Sequence, residues 1–392
     1  MRVLIVSQFF YPDITAAAFR AYDLYNFLRK HGIEVDVITT YPHKSEVLDI
    51  PSDRVIKVNI ARLRDKSVIS YLVHYFSFMF KAIFFSFKLS GKYDYIFTIS
   101  PPLFVGLAGY IISRIKRTYF ILDIGDLWPD SAVAAGKLRK ESLFYKLGRK
   151  LEVFLYGHAY AITCVAKPMQ RYIQEWAQNV HVIYSGPTTA EVDKVRALVS
   201  AGDNKRIKKT IYYTGNMGIV QDLDTLLLTA KRMSQNDSDN IKIQLIGEGS
   251  ERPRLEQYAR ANDIKNVAFL GLKPREETFR ILHTDADILY LSLMADSTLE
   301  KTIPSKLFDY FLLNRPILFG IEGEGREILE ATGAGVYFKP GDSDSLAEAI
   351  RNLLENYDHY REKASGLGDM VSRRFTREIN FKILLDVKGL MS

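Results

Sequence analysis

The sequence predicts an α/β protein made of two doubly wound domains with parallel sheets. Two observations predict it. Short apolar runs alternate with helical stretches, and the alternation occurs twice in succession, the two series separated by the polar, charged stretch Thr188 to Lys209. Two consecutive βα series of this kind imply two doubly wound domains. The 392 residues suffice for both, and 47% apolar content gives each a sizeable core.

Val3 to Ser7 reads as a buried parallel strand, followed by a loop with Tyr11-Pro12-Asp13. Ala17, Ala21, Leu24 and Leu28 recur at 4-3-4 spacing and form one apolar helical stripe, which Gly32 ends. Val35 to Thr39 completes a βαβ unit. Tyr95 to Ser100, Tyr119 to Ile124, Ala161 to Val165 and Val180 to Tyr184 continue the first series. The second begins near Ile211-Tyr212-Tyr213 and runs through Ile243 to Ile246, Val267 to Leu270, Ile288 to Leu291, Ile317 to Phe319 and Gly335 to Phe338. The expected domains are 1–187 and 205–370, with a C-terminal helix in 371–392 packing back on the first.

Net charge is +7, so the surface attracts phosphates on small molecules, anionic lipid or nucleic acid. No zinc-ligand spacing or RNA-binding signature accompanies the charge, which argues against nucleic acid. Cys164 is the single cysteine, so no disulfide forms within the chain; a buried thiol in a reducing compartment is expected. The N-terminal apolar run is too short for a signal peptide.

Ligands of open parallel sheets bind where strands end, so residues there are the site candidates. Tyr213-Thr214-Gly215-Asn216-Met217-Gly218 follows a strand and precedes a helix expected over Asp222 to Met233. Glycines expose backbone N–H groups, and a helix N-terminus favours an anion; a tight turn without ligand is the alternative. Pro304-Ser305-Lys306-Leu307-Phe308-Asp309-Tyr310 reads as a helix start with Ser305 as N-cap. Lys306 in its first turn opposes the helix dipole, which makes sense opposite a phosphate. Asp309, one turn on, is placed to accept hydrogen bonds from ribose hydroxyls; the alternative is an ordinary surface pair. Asp126-Leu127-Trp128-Pro129-Asp130 sets an aromatic ring beside carboxylates, a combination suited to a sugar, or else a packing corner. Gly247-Glu248-Gly249-Ser250 follows another strand and either lines a nucleotide base or simply turns.

Val68 to Phe87 holds eight aromatic residues from Tyr71 to Phe87, interrupted by Lys81 and flanked by Arg62, Arg64, Lys66, Lys88 and Lys92. Its length is marginal for a membrane span. A span, a core helix, and an interfacial or lipid-acceptor-binding helix are the three readings.

These motifs together resemble the family-4 glycosyltransferases with the GT-B fold, two Rossmann-like domains facing a cleft. The resemblance is carried by Phe9-Phe10-Tyr11-Pro12-Asp13 with Arg20, the Asp126 to Asp130 motif, Gly215-Asn216-Met217-Gly218 with Leu223-Asp224, Leu245 to Gly249, and Pro304 to Tyr310. It is greatest for bacterial O-antigen and capsule transferases of the fucosamine type. The resemblance implies a retaining transfer from a nucleotide-diphosphate sugar, a UDP-N-acetylamino sugar, with no metal or other cofactor. It implies a polyprenyl-diphosphate-linked saccharide as acceptor and a peripheral location at the cytoplasmic face of the inner membrane. Donor contacts fall on Gly215, Asn216, Gln221, Gly247, Glu248, Ser305, Lys306 and Asp309. Ala16, Arg20 and Trp128 fall on the acceptor, and Asp126, Lys306 and Lys301 are the candidate catalytic groups.

Three positions depart from the family pattern. Asn216 and Gln221 stand where many members have Arg and Lys. Lys301 replaces the first of two acids eight positions apart, leaving Glu300 as the nearest carboxylate. Ala16-Ala17 replaces a Gly-Gly pair. Two other functions keep the same fold: a sugar-nucleotide epimerase, against which the aromatic-basic stretch argues, and a non-catalytic nucleotide-sugar-binding partner of a membrane complex.

Overall fold

The computed structural model describes residues 1–13, 15–42, 54–61, 63, 68–199, 209–234 and 241–386. In chain order the first part comprises β1 (Arg2–Ser7), α1 (Ala16–Lys30), β2 (Glu34–Thr40), β3 (Val55–Val58), α2 (Val68–Ser86), β4 (Tyr95–Ser100), α3 (Leu103–Lys116) and β5 (Tyr119–Ile124). It continues through α4 (Asp130–Ala134), α5 (Leu143–His158), β6 (Ala161–Cys164), α6 (Lys167–Ile173) and β7 (Val180–Val182). The second part comprises α7 (Thr189–Val199), β8 (Lys209–Thr214), α8 (Leu223–Ser234), β9 (Ile241–Ile246), α9 (Arg252–Ala261), β10 (Val267–Gly271), α10 (Arg275–Asp285) and β11 (Ile288–Ser292). After it come α11 (Lys306–Leu312), β12 (Ile317–Gly320), α12 (Glu324–Thr332), β13 (Gly335–Tyr337), α13 (Ser343–Glu355), α14 (Tyr357–Ala364), α15 (Leu367–Arg374), α16 (Arg377–Phe381) and α17 (Ile383–Asp386).

The strands form two all-parallel sheets, β3-β2-β1-β4-β5-β6-β7 and β10-β9-β8-β11-β12-β13. Each reverses strand order beside its first strand, between β1 and β4 and between β8 and β11. That reversal opens a crevice at the strand C-termini, where open α/β sheets bind ligands. Both sheets are covered on their faces by helices, so their strands are buried and read as continuous apolar runs. Strand β3 escaped the sequence reading because it is a four-residue edge strand, too short to show a period.

The chain divides into two units. The first holds Met1–Val133, Lys137–Ser185 and Arg377–Ser392; the second holds Ala134–Gly136 and Gly186–Thr376. The chain returns to the first unit at Arg377, later than Val371. Arg377 pairs with Asp23 on α1, and Phe381 and Leu384 enter the core formed by α1, β1 and β4. The Phe381 ring lies 5.5 Å from Phe27.

Several sequence expectations change. The stretch expected as linker carries helix α7, whose Val192 and Val195 are buried in the second unit. Residues 200–208 of it lie outside the described residues. The helix expected from Asp222 starts at Leu223, after a separate 3-10 turn, Ile219–Gln221, and a left-handed Asp222 (φ 48°). The glycine loop therefore does not open directly onto the N-terminus of α8. Ser305 precedes α11 but has helical backbone angles and makes no side-chain capping bond.

Helix α1 forms as its apolar stripe predicts. Thr15 caps it by accepting the Ala18 N–H at 3.1 Å, and Gly32 at φ 75° leaves it.

Candidate functional site

In the second unit, the site candidates gather around the end of β8. Gly215 (φ 127°) and Gly247 (φ 143°) turn the chain out of β8 and β9. A Cβ on Gly247 would lie 1.9 Å from the Gly215 carbonyl oxygen, and one on Gly249 would strike the Met217 backbone. The two loops are thus packed backbone to backbone, a contact only glycine permits. Gly215 donates its N–H to Ile246 O (2.9 Å), Met217 to Glu248 O (2.8 Å), and Glu251 to Met217 O (2.9 Å). The Gly215 amide, expected to face a diphosphate, is engaged between the loops instead.

Gln221 also turns inward. Its Oε1 accepts the Gly218 N–H at 2.9 Å and the Asn216 side-chain amide at 3.2 Å. Where a cation would extend outward, this residue closes the turn on itself. Glu248 forms an exposed ion pair with Arg252.

Lys306 supplies the charge at this point. Its Nζ donates to the Tyr213 hydroxyl at 2.9 Å and lies 4.1 Å from the centre of that ring. A Cβ at position 215 would come within 3.1 Å of the same Nζ, so the second reason for glycine there is room for this ammonium. Burial against Tyr213 pushes the Lys306 pKa down to about 7, while Asp309 works in the opposite sense. Tyr213 passes its own hydrogen to Asn216 O at 2.5 Å. Tyr310, behind it, accepts the Thr214 N–H at 3.0 Å and ties α11 to the end of β8.

Asp309 lies one turn from Lys306 and is half-buried. Arg275, at the start of α10, holds it through Nη2 to Oδ1 at 2.7 Å and Nη1 to Oδ2 at 3.2 Å. Arg275 Nε also pairs with Glu191 of α7 at 3.0 Å. Neither Arg275 nor Glu191 was among the candidates. The rule that selected strand ends points to Arg275 as well, since Leu272-Lys273-Pro274-Arg275 follows β10. Glu191 had no signal, because its segment read as linker. Lys301 ends a 3-10 turn, Leu299–Lys301, and donates to Ser297 O at 2.5 Å. Ser305 is exposed.

In the first unit, Asp126 is exposed on the loop after β5. Trp128 packs beside Gly148 of α5, where an added Cβ would lie 3.0 Å from the ring. Asp130 accepts the Tyr145 hydroxyl at 2.7 Å, so α5 holds both ends of this loop. Arg149 and Glu152 continue the cluster along α5, with burial raising the Glu152 carboxyl to about 7. Ala16 is exposed at the first position of α1. Arg20 differs from its expected role. Only 4% exposed, it forms a bidentate pair with Asp123 at 2.6 and 2.7 Å and also donates to Ile183 O at 3.0 Å. It is an internal strut joining α1, β5 and the end of β7, because a guanidinium this deeply buried requires such a full set of acceptors.

Helix α2 has one packed face and one exposed face. Phe78, Met79 and Ala82 are buried against Val6, Ile38, Ile96 and Val105. His74 is buried too, bonded to Ala61 O at 2.7 Å and the Gln8 amide at 2.9 Å. The opposite face exposes Ile69, Val73, Phe80 (63%), Phe84 (60%) and Phe87 (63%). Phe76 belongs to the packed side, 4.4 Å from Phe104 in ring centres. By length and composition α2 is apolar enough to span a membrane, yet one face is part of the first unit's core. Arg62, Arg64 and Lys66 lie outside the described residues; Lys81, Lys88 and Lys92 are exposed. Helix α3 packs between α2 and α5, and α5 adds exposed Leu143, Phe144 and Leu147 among Lys140, Lys146 and Lys150.

Comparison with known proteins agrees with this division. Residues 17–191 match the family described as Glycosyltransferase Family 4, and residues 200–366 match Glycosyl transferases group 1. The chain is 23% identical over 296 residues to the probable glycosyltransferase WbjE of Pseudomonas aeruginosa, covering 71% of each chain. It is 21% identical over 384 residues to the putative colanic acid biosynthesis glycosyl transferase WcaI of Escherichia coli, covering 90% of this chain and 92% of that one. Among solved structures, HepE of Anabaena in complex with UDP and glucose shares the fold, with a TM-score of 0.65 at 16% identity and 98% coverage of both chains.

Proposed function

Because the chain belongs to the family-4 glycosyltransferases of GT-B fold, we propose that it moves a sugar from a UDP-linked donor to a membrane lipid-linked saccharide during surface polysaccharide assembly. The observation that carries the donor half is the meeting of Lys306, the Gly215 turn and Asp309 at the strand-order reversal of the second sheet. Lys306 is a partly buried lysine whose Nζ lies beside Gly215, where no side chain stands next to it. Asp309 offers a carboxylate one helical turn away. That combination suits a nucleoside diphosphate, with Lys306 at the phosphates and Asp309 at the ribose. The UDP in the HepE structure supports uracil as base, and the assembly role rests on WbjE and WcaI.

The proposed reaction breaks the bond between the sugar's anomeric carbon and the β-phosphate oxygen. The acceptor hydroxyl oxygen bonds that carbon on the same face, which retains configuration. Its proton passes to the departing phosphate oxygen, and the Lys306 ammonium stabilises the charge developing there. In the first unit, Asp126 offers an exposed carboxylate after β5 for an acceptor hydroxyl, and Trp128 offers a ring suited to a sugar face. No metal is assigned a role in this scheme.

The apolar face of α2 supports a peripheral location at the cytoplasmic face of the inner membrane. Its exposed phenylalanines enter the headgroup boundary while Lys81, Lys88 and Lys92 meet lipid phosphates.

A thermal-shift screen of the purified protein against UDP-, GDP- and dTDP-sugars tests the donor assignment. UDP-sugars are expected to raise Tm most, with the shift abolished in Lys306→Ala. A larger shift with GDP- or dTDP-sugars would overturn uracil, and equal shifts in wild type and Lys306→Ala would remove Lys306 from the site.

A further inference from the structure

We infer that the first unit carries a lipid headgroup site: an open groove at the starting ends of β4 and β5 holds the phosphate of an anionic phospholipid, beside the exposed face of α2. The inference rests on the reading of that face as a membrane contact. It adds a charged groove built by other elements, at the edge of the first sheet opposite the strand ends that carry Asp126 and Trp128.

The groove forms where Lys92 to Tyr95 lead into β4 and where Arg114 to Tyr119 leave α3 and enter β5. Parallel strands bring their starting ends to one edge, so cations that precede β4 and β5 in the chain meet there. Lys92, Arg114 and Arg117 line the groove against one carboxylate, Asp94, which already accepts the Arg2 N–H at 2.7 Å. Two neighbouring cations are engaged elsewhere. Arg2 pairs with Asp36 at 2.8 Å, and Lys116 donates to Leu89 O at 2.6 Å. Among the described residues, no hydrogen bond or ion pair holds the side chain of Lys92, Arg114 or Arg117, and all three residues are exposed. Arg114 and Arg117 also complement the partial negative charge at the C-terminus of α3. Lys92 lies on no helix and has no such reason to be there. Guanidinium groups bind phosphate oxygens in pairs, which makes arginine well suited to a phosphate.

The surroundings favour a lipid over a soluble phosphate. Tyr119 lines the groove at 54% exposure, its ring centre 4.3 Å from that of Tyr160, and Ile115 beside Arg114 is exposed as well. A tyrosine with an apolar body and a wet hydroxyl suits the bilayer interface. Six residues, Phe87 to Lys92, join the end of α2 to the groove. Arg2 fastens this loop by donating to Ser90 O at 2.8 Å, as Lys116 does at Leu89. Within it, the Lys88 ammonium lies 5.5 and 4.7 Å from the ring centres of Phe84 and Phe85. From Phe84 to Tyr93 the chain holds no acidic residue. Exposed phenylalanine and unpaired cation therefore follow one another from α2 into the groove. Cations alone would serve a free phosphate, whereas a lipid needs apolar surface beside them for its acyl chains.

The test measures sedimentation with vesicles of phosphatidylcholine containing phosphatidylglycerol, and of phosphatidylcholine alone. A groove variant combines Lys92→Gln, Arg114→Gln and Arg117→Asn; Asn is chosen at 117 because the backbone there is left-handed, φ 52°. A control combines Lys242→Gln, Arg260→Gln and Arg351→Gln, removing the same charge from exposed positions of the second unit. Each cation at an anionic surface is worth about 5-fold in partitioning, so the groove variant should lose on the order of 100-fold on the anionic vesicles and the control far less. On phosphatidylcholine alone the groove variant should match wild type. Equal losses in groove variant and control would reduce the effect to net charge and overturn the site. Calorimetry with inorganic phosphate separates the sources: saturable binding lost in the groove variant, with its vesicle binding intact, would assign the groove to a soluble anion and overturn the lipid. A lowered Tm with intact vesicle binding would leave the arginines only their role at the end of α3 and overturn it as well. Phe80, Phe84 and Phe87 changed together to Ser test the α2 face separately. Release of that variant but not of the groove variant would overturn the groove alone; the reverse would overturn the α2 contact and support the groove. If the groove variant fails to fold, Lys92→Gln alone carries the comparison, with a loss of about 5-fold expected.

Discussion

Lys306 has a pKa near 7 before any donor is bound, and a diphosphate beside it favours the charged form. If Lys306 meets the donor phosphates as proposed, binding of a nucleotide sugar at pH 8 should take up a proton. The sign follows from linkage. In the free protein Lys306 is ammonium below about 7 and neutral above it; in the complex it stays charged to higher pH. Affinity should be flat below pH 7 and fall by up to about 10-fold per pH unit above it. UDP-glucose is the suitable ligand, since its phosphates do not titrate in that range. Calorimetry in buffers of different ionisation enthalpy should detect proton uptake in wild type and none in Lys306→Met. A Kd independent of pH between 7 and 9 would mean that Lys306 does not meet the phosphates. Folding stability carries the same group with its own sign. A lysine depressed from 10.5 to about 7 costs stability below pH 7, and that cost is relieved as pH rises through the interval. At this scale the sequence revealed the residue types but not their directions. Lys306 and Asp309 were legible from their place after a strand. That Gly215 and Gly247 face one another, that Gln221 folds inward and that Arg20 is buried depend on packing between segments far apart in the chain.

Helix α2 shows why an element's limits can be legible when its faces are not. The aromatic run suggested 68–87, and the helix covers Val68–Ser86. Ordinarily, polar residues on one side reveal which side is buried. Here both sides are apolar, and although a 4-residue spacing puts Phe76 in line with Phe80 and Phe84, Phe76 belongs with the packed residues. The two sides predict opposite outcomes. Changing Phe80, Phe84 and Phe87 together to Ser should leave Tm within a few degrees of wild type and reduce sedimentation with phosphatidylglycerol vesicles. Phe78→Ala should instead destabilise the first unit by about 3–5 kcal/mol, as expected for a fully buried phenylalanine. Undiminished vesicle binding by the triple variant would refute the membrane contact of this face. Helix α7 is the converse case: its polar surface resembled a linker, and among its described side chains only Val192 and Val195 mark its buried side.

For the molecule as a whole, two parallel sheets were legible because buried parallel strands are nearly continuous apolar runs, and their repetition in two series gave the division. The boundary was less legible, since chain order does not disclose which unit a terminal helix joins. Arg377, Phe381 and Leu384 belong to the first unit's core. A chain ending at Thr376 should lose at least about 5 kcal/mol from that unit, given 2–5 for each large apolar side chain removed. Calorimetry should then show the first unit melting earlier while the second melts as in the intact protein; unchanged transitions would contradict this account. The same arrangement bears on how the protein is made. A ribosome delivers residues 1–185 first and Phe381 only after the whole second unit. At about 5–20 residues per second that interval is on the order of 10–40 seconds. During it Phe27 lacks its Phe381 partner, and the phenylalanines of α2 are already synthesised. The nascent first unit thus lacks part of its core throughout that interval. A chaperone that shields it, or early capture of α2 by the bilayer, would have its greatest influence in that window.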